Sequence, residues 1–259
     1  MSRHLRAVLF AAALAAASAA SATVVSTNYS DLWWNPVESG WGANITQQND
    51  LLFITFFVYG PSGQAVWYSG TLGFAGAGIN GNKSFTGDLY QTTGPWFGGP
   101  FDPSQVAYRR VGTATFASNA TSTAVLQYSV DGQIVTKNVQ RQTLTSDRVD
   151  GNYVGILSDV TSACSDPAAN GVRTDNVGTV TITQTGATVA IASPACSFNG
   201  TYVQEGQFGR VTGTFNCTDG TSGPFSLFEL RTEQNGLFGR YTRQDSSCSF
   251  GGSIAAVRR

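Results

Sequence analysis

The chain has 259 residues and a formal net charge of −1 at pH 7, from 15 Lys and Arg residues against 16 Asp and Glu residues. This balance leaves no basic field that would attract nucleic acid. Charged residues and aromatic residues each make up 12% of the chain. That composition excludes a disordered chain, because disordered chains are rich in charge and poor in aromatic side chains.

The first 22 residues have the pattern of a secretory signal. Arg3 and Arg6 form a short basic region, an apolar run covers residues 7–20, and residues 20–22 read Ala-Ser-Ala, the small-x-small pattern of a cleavage site. The apolar run is too short for a permanent membrane span, so an N-terminal anchor is the less favoured alternative. We therefore predict a signal peptide over residues 1–22 and a mature protein that is secreted or periplasmic.

The N-terminal half of the mature chain reads as a succession of strands. Residues 41–46 alternate between apolar and polar side chains, which is the period of a strand. Residues 51–59 are apolar on both faces, so we expect this strand to be covered on both sides or to meet the other domain with its outer face. Residues 124–130 and 133–139 flank an Asp-Gly pair and predict a hairpin, because both turn residues need positive φ.

A polar stretch at residues 145–148 marks a domain boundary. All five tryptophans precede it and all four cysteines follow it. Strands at this spacing predict a sandwich or a barrel, and each side of the boundary supports about eight strands, which is enough for a small closed barrel. We predict an all-β protein with two consecutive antiparallel β-barrel or sandwich-like domains, a Trp-rich one over residues 23–146 and a disulfide-bearing one over residues 147–259.

The four cysteines predict two disulfides, because their number is even in a chain that carries an export signal. Residues 196–205 and 208–217 read as a hairpin, which would bring its first and last residues nearly opposite each other. Of the three possible connectivities we favour Cys196–Cys217 with Cys164–Cys248. A metal site is the alternative, but the spacing contains no CxxC pair.

The chemistry of the mature chain is limited by the absence of histidine, since His4 lies in the predicted signal peptide. This excludes Ser-His-Asp and Cys-His catalysis and metal sites built on histidine. No Gly-rich phosphate loop precedes a helix, so we expect no cofactor. The remaining catalytic possibility is a carboxylate pair for glycoside hydrolysis, with Glu38 as the acid and Asp31 or Asp88 as its partner. The alternative is that Glu38 orders the turn at residues 36–40.

Aromatic residues are the candidate ligand-binding groups. Trp33 and Trp34 are adjacent and must face opposite sides of a strand, so one of them should fill the core. Core filling is the alternative for the other aromatics as well. The Gly- and Pro-rich loop Gly94–Phe101 favours contact of its aromatics with a ligand, a partner or the second domain. The candidate ligand-binding residues are Trp33, Trp34, Glu38, Trp41, Trp67, Tyr68 and Trp96.

Residues 31–42, Asp-Leu-Trp-Trp-Asn-Pro-Val-Glu-Ser-Gly-Trp-Gly, resemble the opening of a group of uncharacterised exported bacterial proteins that share WW-x-P-x-ESGWG. The resemblance continues through a Tyr-Gly-Pro-Ser-Gly turn at residues 59–63 and the pair Trp67-Tyr68, and it covers most of residues 28–145. The resemblance implies that the protein is exported and that residues 28–145 form one domain, and it assigns no catalytic residue. The C-terminal half resembles avidin-type or lipocalin-type barrels only loosely.

The leading hypothesis is an exported, non-enzymatic binding protein that holds a glycan or a small apolar ligand through the N-terminal domain. One alternative is a carboxylate-dependent glycan hydrolase that uses Glu38. The other is a protein-interaction or inhibitor module that acts through the loop Gly94–Phe101, where a protein partner would meet Trp96. We expect no nucleic-acid partner and no membrane span in the mature chain.

Overall fold

A computed structural model describes residues 27–78 and 82–259 of the chain. The predicted signal peptide lies outside the described residues. Two closed antiparallel barrels of eight strands each follow one another along the chain, which confirms the predicted fold class. Within the described ranges, no helix is long and apolar enough to cross a membrane. The helical segments are two short 3₁₀ turns, Pro103–Gln105 and Pro167–Ala169.

Barrel 1 is an antiparallel meander in which each strand pairs with the next along the chain. The barrel closes where Trp33 and Trp34 of the first strand pair with Arg141 and Gln140 of the eighth. Its strands are β1 Asp31–Trp34, β2 Gly42–Gln48, β3 Leu51–Tyr59, β4 Ala65–Ala77, β5 Lys83–Thr93, β6 Ala107–Ser118, β7 Thr123–Val130 and β8 Gln133–Arg141.

Barrel 2 repeats this topology and closes with a longer contact, ten residue pairs between its first and last strands. The predicted boundary after residue 146 falls in the segment 142–150 that connects the two barrels. The strands of barrel 2 are β9 Gly151–Ser162, β10 Arg173–Thr185, β11 Thr188–Ala192, β12 Cys196–Glu205, β13 Phe208–Cys217, β14 Ser222–Glu233, β15 Gly236–Gln244 and β16 Ser249–Arg258.

Turn chemistry fixes the hairpins that the sequence predicts. Asp131 and Gly132 connect β7 and β8 with φ angles of 48° and 84°, so both occupy the left-handed region that a two-residue hairpin turn needs. Glycine adopts this conformation without steric cost, and Asp tolerates it better than most residues. The register of β7 against β8 is therefore set locally by the turn.

The interior of barrel 1 is filled by side chains from alternate positions of its strands. Trp33 is 1% exposed, and its indole lies edge-on to Phe116 with ring centroids 4.9 Å apart. Its Nε1 donates to the carbonyl oxygen of Tyr29 at 2.9 Å. Tyr29 covers the end of the barrel near barrel 2, where its hydroxyl bonds to Ser118 Oγ at 3.0 Å. The first of the paired tryptophans therefore belongs to a closed core.

Strand β3 is buried on its inner face only, although the sequence predicted that both of its faces would be covered. Its inward side chains, among them Ile54 and Phe56, are fully buried, as predicted for a core strand. Its outer side chains are not covered: Phe53 is 50%, Phe57 is 53% and Tyr59 is 61% exposed. The expectation that the outer face is covered or meets the other domain is wrong, because barrel 2 packs against the end of barrel 1 and leaves this wall open to solvent.

Barrel 2 has an aromatic and aliphatic core around Phe215 and Tyr241, with one buried acid. Asp159 is 2% exposed and accepts a hydrogen bond from the Tyr241 hydroxyl, so the buried carboxylate is satisfied. Both predicted disulfides are present, Cys196–Cys217 and Cys164–Cys248. They lie at the end of barrel 2 that points away from barrel 1, because these residues are at or just beyond the strand ends opposite the Gly206 turn.

The junction between the barrels is built around a buried ion pair. Arg141 Nη1 lies 3.0 Å from Asp31 Oδ2, and their side chains are 1% and 10% exposed. The guanidinium also lies over the ring of Phe208 from barrel 2, with Cζ 5.0 Å from the centroid. Asp31 in turn accepts a hydrogen bond from the backbone N–H of Gln207 at 2.9 Å. One charge pair of barrel 1 thus holds the β12–β13 turn of barrel 2.

Candidate functional site: an aromatic face on barrel 1

Exposed aromatic side chains are concentrated on barrel 1. In the described part of the chain, eight large aromatics of barrel 1 are exposed, whereas Phe238 is the single such residue of barrel 2. A monomeric protein rarely displays apolar groups in one contiguous patch without a use for it. The eight residues are Phe53, Phe57, Tyr59, Trp67, Trp96, Phe97, Phe101 and Tyr108.

Four aromatic residues form a row across strands β3 to β6 on the outer wall. We call Phe57, Trp67, Tyr90 and Tyr108 the aromatic belt. Phe57 pairs directly with Trp67, and Ser69, two positions further along β4, pairs with Tyr90. The rings of Tyr90 and Tyr108 meet edge-on, with centroids 6.2 Å apart. Directly opposed and diagonal side chains on one face of a sheet are close enough to act together on one ligand.

A β-bulge decides that the last belt residue faces outward. Leu89 pairs with Gly112 but Tyr90 pairs with Arg110, so Val111 is an extra residue in β6. A bulge of one residue reverses the alternation of the strand beyond it. Phe116 and Ala114 therefore point into the core, whereas Arg110 and Tyr108 point to the outer face, where Tyr108 is 76% exposed.

A groove of about 360 Å³ runs beside the belt on the same wall. Phe53 and Tyr90 provide aromatic sides, and Ser69, Thr71 and Asp88 provide polar groups. Small hydroxyl side chains on β4 leave space between the larger rings. Gly70 also lines the groove.

The groove carries one ion pair at its edge. Arg110 Nη2 donates to Asp88 Oδ1 at 2.7 Å, and both side chains are about half exposed, 56% and 43%. The hydrogen bond from Arg110 lowers the pKa of Asp88 further below its ordinary value. Asp88 is therefore a partner of Arg110 on the outer wall, at the edge of the groove.

The aromatics of the WW-x-P-x-ESGWG segment do not converge on the belt. Trp33 fills the core, as described above. The Nε1 of Trp34 is buried without a hydrogen-bond partner in the described residues. Trp67 is the single predicted tryptophan that lies in the belt, and it is 49% exposed.

Glu38 and Trp41 lie at the end of barrel 1 that points away from barrel 2. Both carboxylate oxygens of Glu38 contact Lys137 Nζ, at 2.9 Å and 2.7 Å, and Trp41 Nε1 donates to Glu38 at 3.0 Å. The Lys137 ammonium lies 5.8 Å from the centroid of the Trp41 indole ring. Glu38 thus ties the β1–β2 loop to β8 through Lys137.

Tyr68 belongs to this end of the barrel and not to the outer wall. Its neighbour Trp67 points outward, so Tyr68 points inward and packs against the core together with Tyr128 and Val58. Burial raises the pKa of Tyr128, and the nearby Glu38 and Tyr68 contribute to the increase. The inward aromatics therefore complete the core at the end of barrel 1 where Glu38 and Lys137 lie.

The three candidate catalytic carboxylates are not brought together. Asp31 is held by Arg141 at the junction, Asp88 by Arg110 on the outer wall, and Glu38 by Lys137 at the opposite end from Asp31. The hydrogen bond from Lys137 lowers the pKa of Glu38, whereas a general acid needs a raised pKa. Across residues 27–78 and 82–259, no three His, Cys, Asp or Glu side chains converge as a metal site requires.

The loop Gly94–Phe101 extends the exposed aromatic surface beyond the belt. It connects the strands that carry Tyr90 and Tyr108. Trp96 is 71%, Phe97 is 96% and Phe101 is 74% exposed, so none of them serves the core. The predicted contact of these aromatics with a ligand, a partner or the second domain stays a prediction.

Comparisons of the chain with family models, with curated proteins and with solved structures found no match. The function is therefore inferred from the geometry and chemistry of this chain itself. Sequence reasoning missed Phe57, Tyr90 and Tyr108 as site residues. Phe57 carried a usable signal, because a strand with apolar side chains on both faces must expose one of them unless something covers it.

Proposed function

We propose that this protein is an exported, non-enzymatic glycan-binding protein that holds its ligand on the outer wall of barrel 1. The observation that carries the proposal is the aromatic belt beside a polar groove. Sugar rings combine apolar C–H faces with hydroxyl edges. They match a surface on which exposed aromatic rings alternate with Ser, Thr and a paired carboxylate.

A glycan fits this surface better than a small apolar ligand does. Apolar ligands are held in enclosed cavities that remove most of their surface from water. Trp33 and its neighbours fill the interior of barrel 1 instead of lining such a cavity. The groove on the outer wall is open, and half of its lining residues, Ser69, Thr71 and Asp88, carry polar side chains.

Two disulfides indicate an oxidising environment for the protein. Together with the predicted signal peptide, this supports a secreted or periplasmic location, where extracellular or cell-wall glycans are available. The resemblance of residues 31–42 to exported bacterial proteins supports the same compartment.

The decisive experiment is a glycan array probed with the mature protein, followed by titration calorimetry on the glycans that bind. Trp67→Ala should raise the Kd at least about tenfold, which corresponds to about 1.4 kcal/mol and is typical of a central aromatic contact. Phe238→Ala, which removes the exposed aromatic of barrel 2, is the matched control and should leave the Kd unchanged. An array without hits, or a Trp67→Ala variant that binds normally, would exclude the proposal.

A second candidate function is recognition of a protein partner through the loop Gly94–Phe101. The observation that favours it is the exposure of three aromatic rings on one short loop, with Phe97 almost fully accessible. Its test is the double variant Trp96→Ser/Phe97→Ser. Loss of a cross-linked partner with normal glycan binding would support a protein-binding loop, whereas unchanged cross-linking would exclude it.

A further inference from the structure

We infer that the ligand is a neutral, single-chain oligosaccharide of three or more sugar units that lies across strands β3 to β6. The inference rests on the proposed function and adds the length, the charge and the orientation of the ligand.

The extent of the belt sets the length of the ligand. Phe57, Trp67, Tyr90 and Tyr108 lie on four consecutive strands. Neighbouring strands are about 4.8 Å apart, so the belt spans roughly 14 Å from its first strand to its last. One sugar ring is about as wide as one strand spacing of about 4.8 Å. A monosaccharide therefore covers one or two of these rings, and only a chain that crosses the strands reaches all four.

The charges at the belt favour a neutral ligand. Asp88 is the charged residue among those that line the groove, and it is bound by Arg110 at 2.7 Å. Arg109 is next to Arg110 in β6 and therefore points to the other side of the sheet, where it binds Asp131 through both terminal guanidinium nitrogens, at 2.5 Å and 3.0 Å, and also donates to Gln91. Both arginines of this part of β6 are therefore already paired with carboxylates, Arg110 with Asp88 and Arg109 with Asp131. The carboxylates of an acidic glycan would meet Asp88 without gaining a free arginine.

A paired carboxylate and guanidinium nevertheless suit hydroxyl groups well. Asp88 keeps acceptor capacity on its second oxygen, and Arg110 has five N–H donors of which one is used by Asp88. Adjacent hydroxyls of a sugar both donate and accept. The ion pair can therefore hydrogen-bond to the hydroxyls of a neutral glycan while Asp88 and Arg110 both stay charged.

The ring orientations favour a single chain over a flat polysaccharide surface. The planes of Tyr90 and Tyr108 are inclined at 70° to each other. A flat crystalline surface stacks only on rings that share one plane. A single chain can turn about the bonds between neighbouring sugar units and so contact one ring with a face and the next with an edge.

The test is a calorimetric titration of the mature protein with neutral gluco-, xylo- and chito-oligosaccharides of one to six units. Oligogalacturonates of matched length serve as the acidic counterparts. For the neutral series that binds, we expect the Kd to fall at least tenfold between one and three units and to level off near four. The matched acidic ligands should bind at least fivefold more weakly. Tyr108→Ala should shift the plateau to a shorter chain, while Phe238→Ala should not.

The outcomes separate this inference from the proposed function. Binding that depends on Trp67 but is the same for one unit as for four, or that favours oligogalacturonates, would overturn the inference and leave glycan binding intact. Absence of binding in every series would overturn both. Asp88→Asn keeps the size of the side chain and should weaken neutral binding at least threefold; an unchanged Kd would remove Asp88 from the site.

Discussion

The two barrels share one topology but present different surfaces to solvent. Both are eight-stranded antiparallel meanders closed between first and last strand. Barrel 1 carries every tryptophan, exposes a row of aromatic rings and has no disulfide, whereas barrel 2 carries both disulfides and exposes Phe238 as its single large aromatic among the described residues. Inward side chains form the core in both barrels, so the two barrels differ in the side chains that point outward from their strands.

Two barrels of the same topology therefore differ in the side chains of their outer walls. The same alternation that fills the core places every second side chain on the outer wall, where packing imposes no choice. In barrel 1 several of those positions on strands β3 to β6 hold Phe, Trp or Tyr, whereas in barrel 2 they hold mainly Thr, Ser and Val. We propose that barrel 2 stabilises the protein and that barrel 1 binds the ligand, and this division can be tested.

The largest expected effect is the loss of barrel 2 on reduction of its disulfides. Loop-closure entropy gives about 4.6 kcal/mol for Cys164–Cys248, which are 84 residues apart, and about 3.3 kcal/mol for Cys196–Cys217, which are 21 apart. Together these approach the whole stability of a small domain, about 5–15 kcal/mol. All tryptophans are in barrel 1, so tryptophan fluorescence follows the unfolding of barrel 1 alone.

After reduction, the unfolding transition of barrel 2 seen by circular dichroism should disappear, while the unfolding transition of barrel 1 seen by fluorescence should persist. Loss of both transitions on reduction would show that the two barrels do not unfold independently.

Arg141→Met should destabilise the protein by about 3–5 kcal/mol, because it leaves the Asp31 carboxylate buried without its partner. It also removes the donor to the carbonyl oxygen of Thr121 at 2.8 Å. Urea unfolding followed by tryptophan fluorescence measures the change. The double variant Asp31→Asn/Arg141→Met should recover part of the loss. A single variant as stable as the wild type would show that the pair does not hold the junction.

Gly206→Ala should cost about 2–4 kcal/mol, from a left-handed backbone and from overpacking at the junction. The φ angle of Gly206 is 65°, and an added Cβ would lie 2.2 Å from Asp31 Oδ2 and 2.7 Å from Arg141 Cβ. Gly186 is the matched control, since its φ is 58° and its Cβ would meet nothing within 4 Å. Gly186→Ala should therefore show the backbone cost alone. Equal losses in the two variants, measured by thermal unfolding, would rule out close packing of the barrels.

Glu229 should give the junction a modest pH dependence. Burial raises the pKa of this carboxyl, although Arg240 and the backbone N–H of Asn28 act in the opposite direction. The native state therefore holds this proton more tightly than the unfolded chain, and the associated stability is lost as pH rises through the raised pKa. Unfolding titrations at pH 4 to 7 should show wild-type stability declining relative to Glu229→Gln. If the stability of the wild type and of Glu229→Gln changed with pH in the same way, the pKa of Glu229 would not be raised in the native state.

The smallest effect is expected for Lys137→Met, which breaks an ion pair that solvent reaches. Lys137 lowers the pKa of Glu38, so the pair is intact at neutral pH and is lost as pH falls through that lowered pKa. The unfolding midpoint should barely move. Hydrogen exchange in residues 35–41 should accelerate, since the loop loses its tie to β8. Arg148→Gln, at another exposed ion pair, is the control and should leave this loop unchanged.

Local sequence features predicted the strands and the cystines correctly. The Asp131-Gly132 turn fixes its hairpin through φ angles that few residues adopt, and the hairpin that ends in Cys196 and Cys217 places these residues opposite each other. Both features are set by residues that are close together in the sequence, so they could be predicted from it. The adjacency of Trp33 and Trp34 likewise predicted that one would be buried, but not which one, because that choice depends on how β1 closes against β8.

By itself, the sequence determined the all-β class, the two units and the chemical division between them, because alternation, turn residues and cysteine spacing act over a few residues. Only the tertiary structure decided where the carboxylates and the aromatics go. Asp31 faces the other barrel because strand ends meet there, and the bulge at Val111 turns Tyr108 and Arg110 outward to complete the belt. Barrel closure and register join residues far apart in the chain, and no local pattern encodes them.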